Sequence, residues 1–238
     1  MQALSAWFIS IYEQFRFNII DGDRYKMLME GLGVTLTVAL FAAVIGVLLG
    51  SVIALMRLSN ARIGKWYPLR WLATIYVGVI RGTPVVVQLL IMYFIILLPF
   101  AWISKTTAAI LCFGLNSAAY VSEMVRGGIL SVDKGQTEAG RSLGLSGAST
   151  MLLIVLPQAA KNTLPSLFNE FIMLLKETSI VGYIGLMDLA KAGDYIRSRT
   201  YSAFFPLLTV AAIYLVIVMA LTKVFATIER RMRKGDSN

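Results

Sequence analysis

Between Gly31 and Met56 the chain runs for 26 residues without a single charge. At about 1.5 Å of rise per residue, a helix over this run exceeds the roughly 30 Å of a bilayer's hydrocarbon core. Similar apolar runs recur to the C-terminus. Apolar residues make up 58% of the 238 residues and charged residues 15%, against nearer half and a quarter in soluble domains. The expected fold class is therefore an all-α integral membrane protein.

Taken in order, residues 1–30 mix Trp7, Phe8, Tyr12, Phe15 and Phe17 with Glu13, Arg16, Asp21 and Asp23. This is too polar to span and reads as an aromatic-rich helix lying in the interface. The first span follows at Gly31–Met56, where Gly33, Gly46 and Gly50 with Thr35, Thr37 and Ser51 suggest close helix packing. Arg57, Arg62, Lys65 and Arg70 make a basic loop without an acid, and Trp66, Tyr67 and Trp71 read as an interfacial belt. A second span, about Trp71 to Phe100, is interrupted by Arg81-Gly82-Thr83-Pro84. Pro84 lacks a donor and disturbs the preceding turn, so this span is kinked or split.

After a link at 101–105, a third span covers Thr106 to Ile129. A fourth runs from Leu164 to Ile184, and a fifth from Phe204 to Ile228. Between the third and fourth lies a polar loop, 133–163. Its uncharged part, Leu143–Ala160, competes for a membrane assignment. Gly144, Ser146, Gly147, Ser149 and Thr150 weaken it, and Pro157 interrupts it. The expected organisation is an N-terminal segment 1–30, a five-helix membrane domain 31–228 containing the loop, and a basic tail 229–238.

Five spans place the termini on opposite sides. With the tail inside, the inside segments carry 13 Lys and Arg and the outside segments 7. The positive-inside rule then expects the N-terminus outside and the C-terminus and the 133–163 loop in the cytoplasm. The net charge of +9 follows from these basic loops and does not call for nucleic acid.

Little chemistry is available. There is no histidine, the commonest metal ligand and general base. The lone Cys112 excludes an internal disulfide. No G-x-x-x-x-G-K-[ST] phosphate loop occurs, and Lys134-Gly135 sits in the wrong context for one. The readings are no catalytic set, no metal site and no cofactor bound by this chain. A membrane enzyme is thus the weakest functional class. A gradient-driven carrier usually shows inverted repeats and more spans.

Four motifs then appear in order: Arg81-Gly82-Thr83-Pro84 through Gln88, Ala119-Tyr120 through Glu123, Arg126 and Ile129, Glu138-Ala139-Gly140 with Gly144 and Ile154 to Pro157, and Leu174 to Ser179. Together they resemble the permease subunits of bacterial ABC importers for polar amino acids, the third being similar to the EAA motif of that family. Gly140 departs from the usual alanine, and at about 1 kcal/mol of helix propensity a looser turn is expected there. Leu97-Leu98-Pro99 stands where a G-L-P is frequent.

The resemblance implies five helices per subunit and a second permease subunit, the same chain or a related one. It also implies an ATPase dimer carrying ATP and Mg, an extracytoplasmic amino-acid-binding protein, and a bacterial inner membrane. It makes the loop a coupling helix that docks on the ATPase, with Glu138, Ala139, Gly140, Leu143, Gly144 and Leu145 as its contact residues. The residues agree with a two-part knob. Gln136–Leu143 suits about two helical turns with Glu138 near the N-terminal dipole, Gly144 suits a left-handed end, and Ser146 suits the cap of a second helix that Pro157 later bends.

Charges inside spans are costly, about 2.5–3.5 kcal/mol at a helix centre. Glu177, Lys176, Glu170, Arg81 and Glu123 are therefore the candidate substrate-path residues. Lys176 and Glu177 point about 100° apart on a helix, so both cannot face one small ligand. The same residues also read as ion pairs between helices. The 185–203 loop, with its mixed charge, is a candidate contact for the binding protein or a solvated connector.

Overall fold

A computed structural model describes residues 2–59, 61–62, 66–100 and 102–234. Lys65 of the basic loop and the last four residues of the tail lie outside them. The architecture is helical. Helix α1 spans Gln2–Phe15, followed by a π turn, Arg16–Ile20, and a 3-10 turn, Asp21–Asp23. Helix α2 spans Arg24–Leu58, α3 Pro68–Gly82, and α4 Val85–Ile91 with a π turn to Ile96. Helix α5 spans Lys105–Leu130, α6 Lys134–Ser142 and α7 Gly147–Thr150, which a π turn, Met151–Val155, joins to α8, Leu156–Glu177. A 3-10 segment to Ile184 leads to α9, Leu189–Thr200, and α10, Phe204–Lys234.

Three helical runs among the described residues are long and apolar enough to cross a bilayer: the one ending at Leu58, Lys105–Leu130 and Phe204–Met232. The α3/α4 pair adds a fourth if it is one span, and it bends by 106° at the break. The kink expected at Pro84 is therefore a sharp corner. Glu170, Lys176 and Glu177 make α8 more polar than these.

The N-terminal boundary differs from the expected one. Gly22 (φ 68°) and Asp23 (φ 56°) adopt left-handed conformations and break the helix there. A new helix then starts at Arg24, so Gly31 lies well inside α2 rather than at its start. The left-handed region is open to glycine and tolerated by aspartate, which is why the break falls on this pair.

The core forms where α2 lies along α5. Gly31, Thr35, Ala39, Ala42, Gly46, Gly50 and Ala54 are buried on one stripe of α2. A Cβ at Gly46 would meet Ser117 Oγ at 2.7 Å, and one at Gly50 would meet the Ala118 carbonyl oxygen at 2.8 Å. Small residues thus let two backbones approach closely, as in other membrane helix pairs. Gly33 does not belong to this stripe. It faces open space, and Thr37 and Ser51 are spent on carbonyls of their own helix. Gly33 lies about 200° around the helix from Gly31, so composition found the packing and helical phase assigned it.

The bundle has two ends. At one, Ser131 beyond α5 meets Asn162 of α8, whose side-chain amide donates to the Ser131 hydroxyl at 2.9 Å. The α6–α7 loop lies at this end. At the other, Lys105 at the start of α5 donates to the Gly185 carbonyl at 3.2 Å. There α9 packs on α2 and α10 through Leu28, Leu189, Ala192, Ile196 and Val210. Asp188 is buried and caps α9 by accepting from Lys191 N–H at 2.9 Å, while Leu189 N–H donates to Thr35.

Candidate functional site

The loop end carries a compact knob. Asp133 caps α6, its carboxylate accepting from Gly135 N–H at 2.6 Å. The helix begins at Lys134, two residues sooner than expected. Glu138 is therefore in the second turn and Asp133 holds the place at the positive helix end. At the other end Gly144 has φ +85°. Its N–H donates to Arg141 O at 3.0 Å, and Leu145 N–H donates to Gly140 O at 3.1 Å. This is the Schellman closure that a glycine at that place permits. Arg141 also donates to Leu145 O at 3.1 Å. Ser146 then caps α7, accepting from Ser149 N–H at 3.1 Å.

Glu138, Ala139, Leu143 and Gly144 are exposed, and Leu143 shows 83% of its surface at the apex. Gly140 is buried, not loose. A Cβ there would meet Ile154 Cδ1 at 2.8 Å and Thr150 Cγ2 at 2.9 Å. Glycine at the third place of the triplet thus lets α6 settle against the following segment, which offsets its poor helix propensity. Pro157 lies in the first turn of α8, directly after the π turn Met151–Val155, and such a turn is where a helix takes up an irregularity in its hydrogen-bond ladder.

Just above the knob, Glu123 of α5 gathers three arginines. Arg57 of α2 lies 2.5 Å from one carboxylate oxygen, with Arg81 of α3 at 3.7 Å from the same atom. Arg126, one turn on, donates to the other oxygen through Nε and Nη2 at 3.0 and 2.9 Å. The Arg81 guanidinium also lies over the Tyr120 ring, 5.2 Å from its centre. Two sequence candidates, Arg81 and Glu123, therefore meet each other. Arg81 is engaged here and does not pair with Glu177.

The corner between α3 and α4 is held from within. Pro84 leaves carbonyls without helical partners, and the Gln88 amide donates to Ile80 O at 2.7 Å and to Thr83 O at 3.1 Å. Gln88 Oε1 accepts from the buried Asn116 side chain at 2.9 Å, tying the corner to α5. Sequence reasoning gave neither residue a role. For Gln88 a signal was available, because it ends the motif that begins at Arg81. Asn116 had none, since its partner is 28 residues away.

Glu170 of α8 accepts from Ser117 Oγ of α5 at 2.8 Å. Glu177 is half-buried two turns further on, while its neighbour Lys176 is exposed, as their angular separation requires. Among the described residues no Lys or Arg lies within ion-pair distance of Glu170 or Glu177.

At the far end α9 shows a charged face. Asp194 bridges Arg197 at 2.6 Å and Lys191 at 3.0 Å. Their hydrogen bonds, Arg197 first, hold its carboxyl below the usual carboxylate range. Arg199 donates to the Tyr195 hydroxyl at 2.9 Å.

The described residues thus form a helical bundle with apolar helices of membrane length, one sharply bent pair, a charge clamp and an exposed knob. Residues 46–234 match the binding-protein-dependent transport system inner membrane component family, and the chain belongs to it. It is a multi-pass membrane protein. It is 42% identical over 211 residues to the arginine transport system permease protein ArtQ of Bacillus subtilis, covering 88% of this chain and 94% of that one. The glutamine transport system permease protein GlnP of Escherichia coli is 37% identical over 211 residues, 87% of this chain and 93% of its own. Among solved structures, a crystal structure of an amino acid ABC transporter with histidines superposes with a TM-score of 0.79 at 44% identity, covering 87% of this chain and 94% of that one. The MetNI methionine transporter, at 20% identity and a TM-score of 0.74, shares the fold.

Proposed function

We propose that this chain is the permease subunit of an ATP-driven importer that moves polar amino acids delivered by an extracytoplasmic binding protein. In this reading α2, the α3/α4 pair, α5, α8 and α10 are five spans, with the N-terminus outside and the tail and knob in the cytoplasm. ATP and Mg act on a partner ATPase dimer, and a second permease, identical or related, completes the path. The charged face of α9 meets the binding protein.

One observation carries the reading: in a chain of this transport family, the exposed, doubly capped α6–α7 knob projects at one end of a membrane bundle. The chain shows no phosphate loop of its own, so energy must arrive through contact. The relatives named for arginine and glutamine transport support an amino-acid cargo.

Reconstitution with the ATPase and the binding protein in liposomes tests this, with uptake of labelled amino acids expected only when ATP is enclosed. In the same assay Gly144→Val is expected to uncouple the system. A β-branched residue at φ +85° costs about 1–2 kcal/mol and cannot keep the Schellman closure. A Cβ there would meet nothing within 4 Å, so assembly is expected to survive. Uptake should fall about tenfold or more, the equivalent of ~1.4 kcal/mol, while ATP hydrolysis persists. Full coupled uptake by Gly144→Val would refute the knob's role.

A further inference from the structure

Helix α10 is 31 residues long. At about 1.5 Å per residue it measures about 46 Å, against roughly 30 Å for a hydrocarbon core. Its last turns therefore stand among the headgroups. They belong to the loop end, because Glu229 and Met232 line a cavity with Ser131, Lys161 and Asn162. Lys223, Arg230 and Arg231 of these turns are exposed. Among the described residues no acid lies within ion-pair distance of any of them. Glu229 is the single acid of α10, and it is turned toward α8, about 240° around the helix from Lys223.

The cations continue an apolar strip. Val216, Met219 and Ala220 lie within about 60° of Lys223 around the helix, Arg230 within about 20° and Arg231 within about 80°. Val216 and Met219 are 66% and 62% exposed, and only 11% of the membrane-length stretch of α10 is buried. Phe225, about 200° from Lys223, faces inward and stacks on Phe168 of α8 with ring centres 4.2 Å apart. On the outward side a groove is lined by Lys223, Val224, Thr227, Ile228 and Arg231.

We propose that this face binds an anionic phospholipid of the leaflet at the loop end, its acyl chains along Val216 and Met219 and its phosphate between Lys223 and Arg231. The site is separate from the translocation path and needs only that the chain spans a membrane. Charge complementarity selects the occupant, since cations beside a bilayer attract anionic headgroups. A second copy of this chain does not complement the stripe. Of its acids at the loop end, Glu123 is held by three arginines, Asp133 caps α6 and Glu229 is turned to α8, which leaves Glu138 on the knob. A zwitterionic lipid fits the apolar strip but sets its own cation against three others. The bound lipid also acts as a strap. It pins the outer side of α10 at the headgroups while Phe225 holds the inner side to α8, and α8 follows directly from the knob through Met151–Val155.

Native mass spectrometry of the detergent-solubilised permease–ATPase complex tests this, with phosphatidylglycerol and phosphatidylcholine of identical chains as probes. The wild type is expected to bind its first phosphatidylglycerol about tenfold or more tightly than phosphatidylcholine. The variant Lys223→Gln/Arg230→Gln/Arg231→Gln is expected to lose that preference at the first site with phosphatidylcholine binding unchanged. Lys223→Gln alone is expected to lose part of it, so the test does not depend on the triple variant assembling. Arg16→Gln/Lys26→Gln/Arg199→Gln removes as much charge from the other end and is expected to keep the preference. Phosphatidylglycerol is also expected to raise the unfolding midpoint of the wild type and not that of the α10 variant.

Equal binding of the two lipids by the wild type would overturn the proposal. So would unchanged phosphatidylglycerol binding in the α10 variants, or an equal loss in the other-end control, which would make total charge the cause. A midpoint indifferent to phosphatidylglycerol would remove the strap. An α10 variant that keeps its lipid and sheds the ATPase on purification would assign the stripe to the ATPase instead.

Discussion

Glu123→Gln is expected to loosen the whole loop end of the bundle. The substitution leaves Arg57, Arg81 and Arg126 facing a neutral amide, and it joins three positive charges that only the carboxylate held together. Removing one partner of a buried ion pair costs about 3–5 kcal/mol. The group here is partly exposed, so about 2 kcal/mol is the better expectation. The arginines should rank by their contact. Arg57, the least exposed at 16% and 2.5 Å away, matters most, and Arg81, 46% exposed and 3.7 Å away, matters least for stability. Thermal unfolding of the purified complex measures this. An unchanged midpoint for Glu123→Gln, or a larger loss for Arg81→Gln than for Arg57→Gln, would show that the clamp is not a fastener.

The second large effect is expected at Gly128, where α5 touches α8. A Cβ there would lie 1.9 Å from Thr163 Oγ1 and 3.0 Å from the Ala159 carbonyl oxygen. Thr163 is buried and its hydroxyl donates to Ala159 O at 2.7 Å, a bond it would lose by turning away. Gly128→Ala must push the two helices apart, at a cost of about 1–3 kcal/mol for overpacking. Because these helices flank the knob, transport should suffer along with stability. Adding Thr163→Ala removes the nearest atom and should recover part of the loss. A double-mutant cycle on the unfolding midpoint reads that coupling. Strict additivity would mean that the helices do not meet at this point.

Much of this fold is legible from local chemistry. Uncharged runs of membrane length announce helices, Pro84 announces a corner, and Gly144 with Ser146 announces an end and a cap. Those signals act within a few residues. What was not legible depends on distance or phase. Gly31 and Gly33 are equivalent by composition, and only the position of Asp188, far along the chain, distinguishes them. Gly140 looked like a weak helix residue until Ile154 and Thr150 were found against it. Two glycine readings thus changed for one reason, that a missing Cβ matters by what approaches it. Asp133 took the helix-end role expected of Glu138 because capping depends on where the helix starts, and that boundary shifted by two residues. Of the five candidate path residues, the structure brings Arg81 and Glu123 together and leaves Glu170 and Glu177 on another face. Opposite charges seek each other across helices, and the one-dimensional order of residues does not say which find partners.

The central claim is that this chain receives its driving force through the knob. Cys112 is the only cysteine and is buried, so Leu143→Cys would place a single reactive thiol at the exposed apex. The most direct measurement is thiol cross-linking of that variant to its ATPase in membranes, followed by ATP-driven uptake. The expected result is an ATPase adduct in high yield and uptake that stops on cross-linking and returns on reduction. An accessible thiol at position 143 that never captures the ATPase, or an adduct that imports amino acids at the full rate, would contradict it.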